Sequence, residues 1–175
     1  MWLRMKEICK FTPRAELEKL AGPAKFQLED RPAYYHGGGF VVYYSPMRFR
    51  VEGLQRVEYG QPGEYAVGMY HFSSDESLRL EMGLDRAATE DAAPIGEEVL
   101  EGGITYSSTF RDARSWMAAH MPGLYQEGEV WRMVDGTMTL VNRYLSDEQY
   151  QLFFFGKSQK TKLGGFQFVF KEDEG

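Results

Sequence analysis

Gly128-Glu129-Val130-Trp131-Arg132-Met133-Val134-Asp135-Gly136-Thr137-Met138-Thr139-Leu140-Val141-Asn142-Arg143-Tyr144-Leu145 runs into Ser146-Asp147-Glu148-Gln149 and then Tyr150-Gln151-Leu152-Phe153-Phe154-Phe155-Gly156. Runs rich in β-branched and aromatic residues flank Asp135-Gly136. A two-residue type I′ turn needs positive φ at both central positions, and Asp-Gly supplies it. The turn predicts a hairpin in which Val134 faces Thr137, Met133 faces Met138, Arg132 faces Thr139, Trp131 faces Leu140 and Val130 faces Val141. A second turn over residues 146–149 sets Tyr150 opposite Leu145, Leu152 opposite Arg143 and Phe153 opposite Asn142. One face then carries Trp131, Met133, Met138, Leu140, Tyr144, Phe153 and Phe155. The other carries Arg132, Arg143, Leu145, Tyr150, Leu152 and Phe154. A sheet with one solvated face would leave one of these sets polar. The expectation is a sheet rolled into a barrel, or paired as a sandwich.

Composition narrows the choice. The chain has 175 residues, 15% aromatic, with 12 Phe, 11 Tyr and 19 Gly, which favours strands and turns over a helical bundle. A single domain over residues 1–175 is expected. The formal charge of −6 offers no basic field for nucleic acid. Cys9 is the single cysteine, so neither an intrachain disulfide nor a cysteine-based zinc site can form. No apolar run reaches the roughly 20 residues of a membrane span, and the N-terminus lacks the apolar stretch of a secretion signal. A cytoplasmic location is the default expectation.

Along the chain, Thr12-Pro13 reads as an N-cap and first helical residue, with a helix over 13–21 ended by Gly22-Pro23. Residues 25–30, 40–44 and 47–52 read as strands, and so does 65–72, which is apolar on both faces. Residues 73–77 read as a turn and 78–84 as another strand. Residues 85–98, rich in Ala and acids, read as an exposed loop. A strand is expected over 101–109. Thr109-x-x-Asp112 resembles a capping box opening a helix over 110–121 with Phe110, Ala113, Met117 and Met121 on one stripe. Residues 157–165 read as a polar loop and 166–170 as a last strand. The sum is nine or ten antiparallel strands in consecutive hairpins, with two short helices.

Few stretches suggest chemistry. Tyr34-Tyr35-His36-Gly37-Gly38-Gly39-Phe40 resembles the oxyanion-hole segment of hormone-sensitive-lipase-type esterases, where glycine N–H groups hold a tetrahedral oxyanion. No Gly-x-Ser-x-Gly elbow accompanies it; Gly156-Lys157-Ser158-Gln159-Lys160 lacks the second glycine. A glycine turn leading into a strand explains the segment equally. His36, His71 and His120 have no spacing that places two metal ligands on one element. His71 and Tyr144 are the candidate proton donors if a reaction is catalysed. Arg132 and Arg143 share a face with apolar neighbours, where an arginine either reaches solvent or meets an anion. The Trp131, Met133, Met138, Leu140, Tyr144, Phe153 and Phe155 face is either a filled core or the lining of a ligand cavity. No cofactor motif is present.

The strand meander with a short N-terminal helix resembles the calycin barrels, which include the lipocalins and fatty-acid-binding proteins. Asp135-Gly136-Thr137-x-x-Leu140-x-x-x-Tyr144, with Glu148 and Phe154, is similar to the C-terminal hairpins of S-type phycobiliprotein lyases, calycins that carry bilins. The Gly-x-Trp usual near a lipocalin N-terminus is absent. The resemblance implies a barrel that carries an apolar or amphipathic small molecule, with a tetrapyrrole (bilin) chromophore as one candidate. An enzyme on the same barrel, a lyase, isomerase or cyclase without a covalent nucleophile, and an interaction module without a cavity are the other two readings.

Overall fold

The computed structural model describes residues 2–28, 31–72, 98–134 and 137–173, with side chains omitted at 2–3 and 132–141. The expected turn and strand over 73–84, the loop from 85 to 97 and the Asp135-Gly136 turn itself lie outside the described residues. Among the described residues there are ten strands: β1 (Phe26–Gln27), β2 (Ala33–Gly37), β3 (Phe40–Ser45), β4 (Arg48–Glu52), β5 (Gln55–Tyr59), β6 (Tyr65–Phe72), β7 (Gln126–Val134), β8 (Thr137–Ser146), β9 (Tyr150–Phe154) and β10 (Gly165–Val169). Three helices accompany them: α1 (Trp2–Met5), α2 (Arg14–Ala21) and α3 (Phe110–His120).

Eight strands form one antiparallel sheet in the order β1-β2-β3-β6-β10-β9-β8-β7, and β4 and β5 pair as a separate hairpin. The protein is therefore mainly β and antiparallel, as the hairpin series predicts. The closed up-and-down barrel is not formed among the described residues. Strand β10 pairs with β6 on one side and β9 on the other, which leaves β1 and β7 as edges. Two meanders thus meet along a β6–β10 seam. Local turn signals set the pairings inside each meander but say nothing about this one.

The β7–β8 register follows the expected turn from Val134↔Thr137 through Trp131↔Leu140. It then skips Val141, so Val130 faces Asn142 and Gly128 faces Tyr144. This bulge is the first correction: one extra residue reverses which side chains share a face. The β8–β9 pairing is Leu145↔Leu152, Tyr144↔Phe153 and Arg143↔Phe154, displaced by two residues from expectation. The cause is Asp147. Its carboxylate accepts from the N–H of Gln149 at 2.7 Å and of Tyr150 at 2.5 Å, which moves the turn along the chain. An even displacement leaves the faces of β9 unchanged.

One sheet face packs on the helices. Phe40, Val42, Met69, Leu145, Leu152, Phe154, Phe166 and Phe168 are buried there with Leu17 of α2 and Phe110, Ala113 and Met117 of α3. Phe110 meets Phe154 edge-on at 5.3 Å. Each of the larger side chains stabilises the fold by about 1.5–3 kcal/mol through burial, and Ala113 by less. The Thr109–Asp112 capping box forms as read: Thr109 Oγ1 accepts from the Asp112 N–H, and the Asp112 carboxylate accepts from the Thr109 N–H. The Thr109 hydroxyl also donates to the Asp112 carboxylate at 2.9 Å, and this bond, with the one from the Thr109 N–H, holds the Asp112 carboxyl below its usual range. For α2 the cap reading is corrected. Pro13 occupies the N-cap position without a side-chain bond, and the Thr12 hydroxyl donates to the Cys9 carbonyl instead. Arg14 pairs with Glu18 within α2 at 2.9 Å and ties the helix to the sheet through Glu64 at 2.8 Å and the Tyr34 ring, 3.9 Å from its guanidinium. The strand expected over 101–109 is absent. Only isolated bridges, Leu100↔Ile104 and Thr109↔Lys162, occur there.

Candidate ligand-binding face

The sheet face opposite the helices carries a series of rings. Tyr35 of β2 faces Val41 of β3, Val41 faces Tyr70 of β6, Phe72 faces Gly165 of β10, and Gly165 faces Phe153 of β9, which faces Tyr144 of β8. Alternation puts all of these side chains on one side. Tyr43 and Tyr70 meet at 5.0 Å, Tyr70 stacks on Phe153 at 5.9 Å with planes 14° apart, and Phe153 and Phe155 lie 6.4 Å apart. Tyr70 also stacks on Phe72 at 6.0 Å. Phe72 and Tyr35 are buried, while Tyr43, Tyr70, Tyr144, Phe153 and Phe155 remain partly exposed. Glycines open the spaces between rings. A Cβ at Gly165 would lie 2.9 Å from both the His71 carbonyl oxygen and the Phe72 ring, and one at Gly128 would lie 2.4 Å from the Tyr144 ring.

The expected lining residues divide between the two faces. Tyr144, Phe153 and Phe155 belong to this aromatic face. Trp131 leaves it, because alternation along β7 beyond the bulge sets Trp131 with Glu129; it is 53% exposed, with Lys157 Nζ 5.9 Å from its ring. The side chains of Arg132, Met133, Met138 and Leu140 lie outside the described residues. Arg143 faces the helices. Its guanidinium lies 5.0 Å from the Phe110 ring and its Nε is 3.4 Å from Glu129 of the paired strand, so the anion it meets is a neighbouring carboxylate. Tyr43, Tyr70 and Phe72 were not expected at the site. The sequence signal for them is weak: strand β6 is apolar on both faces, and no local pattern says which face the helices cover.

His71 lies on the helix-covered face between the rings of Phe40 at 4.3 Å and Phe166 at 5.4 Å. Its Nε2 donates to the Gly38 carbonyl at 3.0 Å, which leaves Nδ1 to accept from the Tyr106 hydroxyl at 2.5 Å. Both ring nitrogens are engaged and the ring is buried, so His71 is built as a structural tie. His36 repeats the arrangement. Its Nδ1 donates to the Gly22 carbonyl at 3.1 Å and its Nε2 accepts from the Tyr44 hydroxyl at 2.9 Å. Burial pushes His36 below the ordinary imidazole range and Tyr44 above the ordinary phenol range. His120 is exposed and stacks on Trp116 at 4.5 Å.

The Gly37-Gly38-Gly39 segment is the β2–β3 turn, with φ of 94°, 60° and 86°. Only glycine adopts three such values in succession without strain. The Gly39 N–H donates to the Tyr35 hydroxyl at 3.2 Å, and the Gly39 carbonyl accepts from the Phe72 N–H at 3.1 Å. These bonds make the turn a joint between β3 and β6. Ser158, the candidate elbow serine, is exposed and accepts from the Lys160 N–H. Among the described residues, no group of three His, Cys, Asp or Glu side chains converges as a metal site, and no helix is long and apolar enough to cross a membrane. No family model, no curated protein and no solved structure matches this chain.

Proposed function

We propose that the protein binds an apolar or amphipathic small molecule on the aromatic face of its sheet. The observation that carries this reading is the ring series Tyr43, Tyr70, Phe153 and Phe155, which spans β3, β6 and the end of β9 and stays partly exposed while the helix-side core is filled. The near-parallel planes of Tyr70 and Phe153, 14° apart at the middle of the series, favour a flat conjugated ligand, since offset stacking supplies attraction beyond area burial. A linear tetrapyrrole meets that description, and a calycin-like ancestry of the sheet would accord with it. Biliverdin titration tests the proposal. The expected result is a saturable red shift of its visible absorption, weakened about ten-fold or more by Tyr70→Ala or Phe153→Ala. No saturable shift, or one insensitive to both substitutions, overturns it.

A second reading, an interaction module, is favoured by one observation. Strand β7 is a nine-residue sheet edge bearing Val130 and Trp131, which are 38% and 53% exposed. Long edges with exposed apolar side chains are where extended partner segments add.

A further inference from the structure

An open cleft of about 710 Å³ separates residues 9–13 from the β4–β5 hairpin. Three segments distant in sequence build it. The N-terminal wall holds Lys10 and Phe11, the hairpin supplies Arg48, Phe49, Arg50 and Tyr59, and the chain after β10 closes one side. The volume lies in the range of small-molecule sites.

Phe11 is the one described non-glycine residue with positive φ, at 68°. A bulky residue in that region is strained and persists only where its surroundings fix it. Here the Phe11 N–H donates to the Ala66 carbonyl at 2.6 Å and the Ala66 N–H donates to the Thr12 carbonyl at 2.9 Å. The turned backbone directs the ring edge-on against Phe49 at 5.1 Å. Phe49 is held in turn by the Arg56 guanidinium at 3.9 Å and the Lys10 ammonium at 4.8 Å. The hairpin, which pairs with no other strand among the described residues, is thereby fixed against the N-terminal segment.

Inside this frame Arg50 is paired with Glu52, whereas Arg48 and Lys10 are positioned but weakly neutralised. The Arg48 guanidinium lies 4.4 Å from the Tyr65 ring centroid and has no carboxylate partner among the described residues. Stacking on a ring fixes a guanidinium plane while leaving its in-plane N–H donors for an oxyanion. Lys10 Nζ is 3.8 Å from Glu172, whose side chain is 73% exposed. Tyr59 is 41% exposed and sits directly across the hairpin from Arg48. Cross-strand partners hold their side chains about 5 Å apart, the span from an aromatic ring to an acidic group bonded to it. Glu16 and Asp173 on the rim would repel a second anionic group and accept from a hydroxyl or amine.

We infer that this cleft is a second binding site, for a small aromatic molecule bearing a carboxylate, sulfonate or phosphate on its ring. The oxyanion meets Arg48 and Lys10, and the ring stacks on Tyr59. The test uses 8-anilinonaphthalene-1-sulfonate and its uncharged analogue N-phenyl-1-naphthylamine, each titrated by fluorescence against the full chain. The charged probe binds saturably, and Arg48→Gln and Tyr59→Ala each weaken it about ten-fold. Arg48→Lys, which keeps the charge, weakens it less. All titrations are repeated in the Phe153→Ala background, which removes probe bound at the aromatic face, and the Arg48 and Tyr59 effects persist there. The uncharged probe is insensitive to Arg48→Gln. An affinity for the charged probe that Arg48→Gln and Tyr59→Ala both leave intact overturns the inference, as does an equal loss of both probes in Arg48→Gln.

Discussion

His36 shows how one buried side chain couples stability to pH. It is 4% exposed, and both ring nitrogens are satisfied in the neutral form, by Gly22 and Tyr44. Burial is the largest influence on its ionisation and lowers its pKa, against smaller opposing effects from the Gly22 carbonyl and the Glu18 carboxylate; Arg14 adds to the lowering. The unfolded chain takes up a proton near pH 6.5, whereas the folded chain resists to lower pH. Between those points the unfolded state binds more protons, so folding stability falls as pH falls. The contribution is fully present above about pH 6.5 and is lost as pH drops towards the folded pKa. Urea denaturation between pH 8 and 5 should show this decline, and His36→Gln should flatten it by up to about 1.4 kcal/mol per pH unit, the limit for one proton. Identical slopes in both proteins would place the acid sensitivity elsewhere.

Two glycines separate the demands of the central strands from those of the edge. Gly165 lies in β10 between β6 and β9, and an added Cβ would meet the backbone carbonyl of His71, which a sheet cannot move without losing pairing. Gly128 lies in edge strand β7, and its Cβ would meet the outer end of the Tyr144 ring, which can rotate away. Gly165→Ala should therefore destabilise by about 1–3 kcal/mol and Gly128→Ala by less, read from urea midpoints at constant slope. The same contrast explains what the sequence made legible. Asp135-Gly136 gave the register out to Trp131↔Leu140, and the Thr109–Asp112 spacing gave the start of α3, because each signal acts through hydrogen bonds within a few residues. The Val141 bulge has no such marker, and it moved Trp131 off the face that Tyr144 and Phe153 share. Strands β2 and β5, which pair with β3 and β4 across the Gly38-Gly39 and Gly53-Leu54 turns, are absent from the sequence reading, although it does place a glycine turn ahead of β3.

The whole molecule depends on the seam where its two meanders meet. Strands β6 and β10 exchange five residue pairs, from Gly165↔Phe72 to Val169↔Gly68, across about 95 residues of chain. Both sides of the seam feed one core: Val42 faces Met69, Met69 faces Phe168, and Phe168 faces Tyr150. His71, paired with Phe166 across the seam and with Phe40 on its own side, adds ties to the β2–β3 turn and to Tyr106. Neither meander can bury its helix-side face alone, so the seam should be the last part to open. Native-state hydrogen exchange should find the slowest amides in β6 and β10, at a free energy equal to global unfolding, and faster exchange in edge strand β7 and in the β4–β5 hairpin. Phe168→Ala, which removes a buried ring from the seam, should cost about 3–5 kcal/mol and lower protection in both meanders by the same amount. Unequal losses, with residues 126–154 keeping their protection while residues 33–72 lose theirs, would mean that the meanders fold as separate units and that the seam is a contact between them.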